Sequence, residues 1–331
     1  MRFGQGDYTY ELVEGWEQIP AGFSHGDVVN VAIDSQDRAH VFNRSEHPVM
    51  VYDREGRFLY SWGEGVFSRP HGITITKDDV VYCTDDKDHT VRKFTLEGEL
   101  LQTVGTPGQP SDSGYVDAGS TSLASIKRGA GPFNRPTRVF EAPSGDFYVT
   151  DGYGNARVHR FDRNWNLVSS WGEPGEGPGQ FNLPHSLWVT NDGRVWVCDR
   201  ENDRVQIFSP TGEFLAQWTN CTKPADIVID EAAGVVYLGE LAWVAGTPSM
   251  AGRPITEDRP SQVSVRDMDG NVISRWGGPD PWEPGSFGSA HGISVDRHGD
   301  VYVGEVAATA LGRIGKYRPE YPSLTKFRRV R

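Results

Sequence analysis

The sequence predicts an all-β fold in which six small antiparallel sheets form a ring, a six-bladed β-propeller. Three observations predict it. The 331 residues include 39 Gly, 21 Pro and 10 Trp, a composition of many turns, and long helix-period patterns are missing. One unit, Phe181–Trp218, holds four short β-prone runs (LPHSLWVT, RVWVCD, RVQIFS and EFLAQW), separated by the turn signals Asn191-Asp192-Gly193, Glu201-Asn202-Asp203 and Pro210-Thr211-Gly212. Copies of that unit begin near Asp27, Ser68, Phe133, Phe181, Lys223 and Phe287. Four-stranded sheets repeated radially leave only short, protected edges, which is how a propeller deals with unpaired strand edges.

Taken in order, the blades are expected near 27–62, 68–105, 133–172, 181–218, 223–276 and 287–318, in a single domain spanning 1–331. In every copy the third strand is expected to end at an acidic or amide residue: Asn43, Asp85, Asp151, Asp199, Glu240 and Glu305. The outer strand closes with a tryptophan in four copies (Trp62, Trp171, Trp218 and Trp276) and with Val104 in one. The sixth copy lacks this strand, because after Ile314–Tyr317 the chain runs into Pro319, Pro322 and a basic tail. The N-terminal stretch 8–16 reads like LVSSWG of the third copy and is expected to close the last blade. Two insertions interrupt the repeat. Residues 106–132, rich in Gly, Ser and Pro, form either a lid or a mobile loop. Residues 242–262 should project from one face, with Trp243 and Met250 lining a pocket or packing on the next blade.

Lys plus Arg number 33 against 45 Asp plus Glu, a formal charge of −12, which repels nucleic acid and anionic lipid. Neither is an expected partner. The N-terminal MRFGQGDYTYELVEGWEQIP has no apolar h-region, and no run nears the roughly 18 apolar residues of a membrane span, so a cytoplasmic protein is expected. Cys83, Cys198 and Cys221 lack CxxC spacing and are expected to be buried small hydrophobes.

In a propeller the first strand of each blade lines the central channel, so residues at one position of the repeat approach one axis. Fourteen residues before the acid or amide (fifteen in the fifth copy) stand Val29, His71, Thr137, His185, Ala225 and His291. The histidines fall in alternate blades, about 120° apart in a six-fold ring, and should converge. Three His with an open fourth position is the ligand set of a catalytic Zn²⁺, although iron, cobalt and copper also accept imidazole. Directly after the acid or amide come Arg44, Asp86, Gly152, Arg200, Leu241 and Val306. The planar forks of Arg44 and Arg200 suit a substrate carboxylate, with Asp86 in the same rim; ion pairing with Asp86, Glu240 or Glu305 is their other open role. Tyr153 is expected at the same mouth, where a dication and guanidinium groups would favour a phenolate able to act as general base. Aromatic packing at a blade corner is its alternative.

The pattern of Pro, any residue, Gly or a small residue, then an alternating strand resembles the NHL repeat over almost the whole chain. The motifs RPHGI, TDGYGNAR, PGQFNLPHSL followed by CDREN, and AHGI resemble more narrowly the peptidyl-α-hydroxyglycine α-amidating lyase family. That resemblance implies a six-bladed NHL propeller in which His71, His185 and His291 hold zinc, Tyr153 is the base, and Arg44 and Arg200 bind substrate or stabilise charge. It also implies a structural Ca²⁺ held by two backbone carbonyls, matching Val31 and Ile73, and by an Asp next to the last His, where this chain has Gly292. Gly154 stands at a cysteine position of the secreted members, and no hydroxylating monooxygenase domain is expected on this chain. The implied activity is zinc-dependent cleavage of the C–N bond of an N-(α-hydroxyalkyl) amide or amine, releasing glyoxylate or a similar carbonyl product. The implied substrate is a small molecule or short peptide with a carboxylate. A metal-dependent hydrolase or lactonase on the same propeller, and a non-catalytic NHL binding module, are the competing readings.

Overall fold

The computed structural model describes residues 1–330, apart from the side chains at 120 and 121. The chain is a six-bladed β-propeller: five sheets are four-stranded meanders in chain order, and the sixth is built from both ends of the chain. The first strands of the blades are Val28–Ile33, Pro70–Ile75, Pro136–Glu141, Pro184–Val189, Pro224–Asp230 and Ala290–Val295, and each packs against the first strands of its two neighbours around the channel.

The repeat dictates two local features that position the site. In every first strand the ladder with the second strand shifts register at the residue occupied by Val29, His71, Thr137, His185, Ala225 or His291. A bulge of this kind leaves one residue unpaired and breaks the strict alternation of faces. Successive residues of these strands can therefore both serve the channel. The repeating acid or amide ends the second strand of each blade and not the third, and in blades two to six, where it is acidic, it reaches back to the loop entering the first strand. Asp85 accepts from the Ser68 and Arg69 amides (2.6 and 3.0 Å), Asp151 from Asn134, Asp199 from Asn182 (2.8 Å), Glu240 from Thr222 (2.7 Å) and Glu305 from Gly288 and Ser289 (2.8 and 3.1 Å). A carboxylate accepting backbone N–H groups fixes a loop that would otherwise carry unpaired donors. The repeating acid is thus an intra-blade tie.

Between blades the closing tryptophans cover turn glycines of the following blade. At Gly98, Gly212 and Gly270, all with φ near +89°, an added Cβ would lie 2.6–2.7 Å from the rings of Trp62, Trp171 and Trp218. Only a residue without a side chain allows that approach.

The last blade differs from its expected extent. Its third strand is Leu324–Arg329, within the basic tail, rather than a segment ending near residue 318. Between the second and third strands lie the helix Ala307–Arg313 and a turn through Pro319 and Pro322. The tail pairs because LTKFRR buries Leu324, Lys326 and Phe327, with the Lys326 stem lying over Trp16 and Tyr302. Tyr8–Leu12 then closes the blade as its fourth strand, and Arg2–Gln5 adds a fifth.

Candidate metal centre and its mouth

His71, His185 and His291 sit at the bulges of blades two, four and six, only 2, 2 and 3% exposed, with ring centroids 4.6–5.0 Å apart. Each donates through Nδ1 to a backbone carbonyl of the next blade: His71 to Thr137 (2.7 Å), His185 to Ala225 (2.6 Å) and His291 to Val29 (2.8 Å). The three odd blades therefore contribute at the same repeat position as the histidines, with a carbonyl instead of a ring. Fixing the proton on Nδ1 leaves the Nε2 lone pairs as the inward-facing atoms. The three ligand atoms lie within 4.8 Å of one another, and those of His71 and His291 have no hydrogen-bond partner among the described residues. Burial lowers the pKa of all three, and the neighbouring imidazoles and the guanidiniums of Arg44, Arg69 and Arg200 lower them further. Neutral rings with one nitrogen pinned by a carbonyl and the other free are what a metal ion requires of histidine ligands. The residues present fit a transition metal.

Tyr153 stands over this triad, 8% exposed, with Oη 3.3 Å from His185 Nε2. Arg200 donates to the same oxygen through Nη1 at 2.9 Å, and its Cζ lies 5.3 Å from the ring centroid. The rest of the Arg200 fork is held by Glu201 (3.1 Å), with Met250 Sδ at 2.9 Å. Burial raises the pKa of the Glu201 carboxyl, but Lys223 and Arg200 outweigh it and the net shift is downward. Arg44, across the ring, pairs with Asp27 (3.0 Å) and donates to the Pro70 carbonyl (3.2 Å). Asp86 is wholly buried and pairs with Arg69 at 3.1 Å; burial raises its pKa against the opposing guanidinium. The structure thus brings Arg44, Arg200, Asp86 and Tyr153 to one mouth. The arginines' acidic partners are Asp27 and Glu201, not Asp86, Glu240 or Glu305.

Sequence reasoning missed Arg69 and Lys223. Both stand two residues before the channel position of their blades, alongside Asp27, so shifting the repeat by two would have found this second rim. Arg69 reaches the outer face of Tyr153, its Cζ 5.6 Å from the ring centroid, and its side chain is 30% exposed. The insertions were located but their meeting was not foreseen. Leu123 and Ile126 of the first and Met250 of the second pack in one cluster with Tyr153 and Leu183. Trp243 packs on the rim instead, under Lys223 and Arg253.

One residue further along the first strands lies a second tier. Asp226 is 1% exposed and collects four donors from four blades: Asn30 Nδ2 (2.8 Å), the Ile293 amide (3.0 Å), Ser186 Oγ (2.5 Å) and the Ile227 amide (3.1 Å). The Arg138 guanidinium approaches it at 3.8 Å. Val31 and Ile73, expected to offer carbonyls to calcium, line the strands beyond this tier. Calcium seeks six to eight oxygen ligands. Here Gly292 offers no side chain, an added Cβ there would lie 2.6 Å from Val29 O, and Asp226 is saturated beside a guanidinium. The tier does not fit calcium.

Comparison with known proteins agrees with this architecture. The NHL repeat model matches residues 181–208. The chain is 34% identical to NHL repeat-containing protein 3 of Homo sapiens over 225 residues, covering 64% of this chain and 60% of that one. It is 29% identical to peptidyl-alpha-hydroxyglycine alpha-amidating lyase 1 of Drosophila melanogaster over 273 residues, 76% of this chain and 45% of that one. A solved streptogramin B lyase superposes with a TM-score of 0.60 at 12% identity, covering 96% and 97% of the two chains, a likeness of fold. The chain spans about 60% of the length of the human relative and less than half of the fly protein. The chain is a six-bladed propeller whose residues 181–208 match the NHL repeat and whose sequence is similar to peptidyl-α-hydroxyglycine α-amidating lyases.

Proposed function

We propose that the protein is a zinc-dependent lyase that breaks the C–N bond of an N-(α-hydroxyalkyl) amide of the type R–CO–NH–CH(OH)–COO⁻, giving R–CO–NH₂ and glyoxylate. The observation that carries the reading is a phenol oxygen 3.3 Å from Nε2 of His185, one of three converging imidazoles, and 2.9 Å from the Arg200 guanidinium. Zinc held by the Nε2 atoms of His71, His185 and His291 would supply Lewis acidity to the substrate hydroxyl.

The remaining chemistry belongs to side chains. Tyr153, kept in place by Arg200, removes the hydroxyl proton. The oxygen electron pair becomes the carbonyl, the C–N bond breaks with its electrons on nitrogen, and the proton on Tyr153 returns to that nitrogen. The Arg200 fork is consumed by Tyr153 and Glu201, so its role is to hold and charge-stabilise the phenolate. Arg44 and Arg69, each with one acidic partner, face the substrate carboxylate. The lyase-named relatives support this class of reaction.

The test is release of glyoxylate from α-hydroxyhippurate, with Tyr153→Phe expected to lower kcat by about 10²–10⁴-fold. Undiminished turnover by that variant would remove the base from the mechanism. The likeness to NHL repeat-containing protein 3 favours a second reading, a binding module without chemistry. It would be preferred if the purified protein took up no transition metal.

A further inference from the structure

We infer that the two insertions form a fixed apolar wall that selects substrates with a small apolar or aromatic acyl group and excludes extended peptides. The inference rests on the lyase reading for the orientation of the substrate, and on the wall's own geometry for its content.

The first insertion is tied down at both ends. Toward its start, the Ser111 amide donates to Phe133 O (2.9 Å), Asn134 Nδ2 donates to Ser111 O (3.0 Å), and Ser113 Oγ donates to Gly154 O. Toward its end, the Lys127 amide donates back to Ser113 O (2.9 Å) and the Ala130 amide to Asn155 Oδ1 (3.0 Å). Gly154 and Asn155 directly follow Tyr153, so the strap is fastened to the very loop that presents the phenol. Arg135 adds an ion pair to Asp117 (2.7 Å) and lies over the Tyr115 ring at 4.9 Å. A segment with this many backbone partners behaves as a wall and not as a free loop.

The side of the wall that packs on Tyr153 is apolar. Leu123 and Ile126, 5 and 9% exposed, pack with Leu183 and Tyr153, and Tyr115 and Met250 complete the cluster from two sides. Met250 is itself anchored, its amide donating to Glu201 at 3.0 Å. With the hydroxyl among the imidazoles and the carboxylate toward Arg44 and Arg69, the N-acyl arm of the substrate is the part left to meet this cluster. Apolar side chains reward a phenyl or short alkyl group there, and they provide no backbone partners for a peptide, whose amides would be desolvated without compensation.

The test uses unreactive glycine analogues, so that it does not depend on turnover. Binding of hippurate and of N-acetyl-Tyr-Val-Gly to the metal-loaded protein is measured by calorimetry, beside glyoxylate release from their α-hydroxy counterparts. Hippurate is expected to bind at least ~10-fold more tightly than the tripeptide, and Leu123→Ala and, separately, Met250→Ala are expected to narrow that ratio to within ~3-fold. Equal binding by the native protein, a preference for the tripeptide, or no binding of either would overturn the wall as a selector. Selective binding of hippurate without glyoxylate release from α-hydroxyhippurate would leave the wall standing and defeat the lyase reading instead.

Discussion

The channel holds two polar tiers one residue apart, and they are built on opposite principles. In the histidine tier every ring has one nitrogen satisfied by a carbonyl of the neighbouring blade, and the Nε2 atoms of His71 and His291 have no partner among the described residues. In the Asp226 tier both carboxylate oxygens are saturated by donors from four blades. Buried polar atoms are normally paired, so unpaired lone pairs that converge mark a place where something else is to be bound. Asn30 Oδ1 and Arg138 Nε and Nη1 in that tier lack hydrogen-bond partners among the described residues, but its carboxylate, unlike the two histidine nitrogens, is fully occupied in tying blades together.

Removing a member from each tier is the strongest way to break this contrast. Tyr153→Phe should cost the largest factor, about 10²–10⁴ in kcat, with the melting temperature and metal content unchanged. Asp226→Ala should do the reverse: it strips four donors and leaves Arg138 as a buried cation without its counter-charge, a loss of about 3–5 kcal/mol in denaturant unfolding, while the protein still binds its metal. If Asp226→Ala lost the metal and kept its stability, the two tiers would not be separable.

The tie at Glu305 sharpens the comparison through pH. Burial pushes this carboxyl up to about 7, against the lowering effect of the Ser289 amide, Tyr321 and the Gly288 amide. A folded pKa above the unfolded value means that the native state holds the proton more tightly. The stabilisation is fully present below about 4.5 and is lost as pH rises through about 7, a span of about 3 kcal/mol at most. Unfolding followed from pH 5 to 8 should show this decline in the native protein and a flatter profile in Glu305→Gln. An identical slope in both would assign the pH dependence to other groups. The smallest effect concerns calcium: adding it, or chelating it with EGTA, should move the melting temperature by less than ~1 °C, because the Asp226 carboxylate already has four donors and the Arg138 guanidinium beside it repels a second cation.

Much of this was legible in the sequence because a repeat converts spacing into geometry. Counting back from Asp85, Asp199 and Glu305 placed the three histidines at one height, and the structure brings their rings within 5.0 Å. Counting forward by one placed Arg44, Arg200 and Asp86 on the rim. The bulge was not legible, since nothing in PHGI or PHSL announces a register shift, and without it Asp226 and Arg138 would be expected to face away from the channel. Nor was the wall legible: Leu123 and Ile126 lie in an insertion with no period to count, and their place follows from contacts with Tyr153 that only the folded chain makes. The sixth blade misled for a related reason. Its third strand is separated from the second by a helix and two prolines, so the repeat spacing failed there, and LTKFRR, with the adjacent Lys326 and Phe327 both buried, has no alternation to reveal a strand.

Metal stoichiometry tests the central claim most directly. The protein is stripped with a strong chelator, dialysed against equimolar Zn²⁺, Co²⁺ and Fe²⁺, and measured by elemental analysis beside His185→Ala. One transition-metal ion per native chain and almost none in the variant is the expected result. A native protein that stays empty, or a variant that fills as well as the native chain, would contradict it.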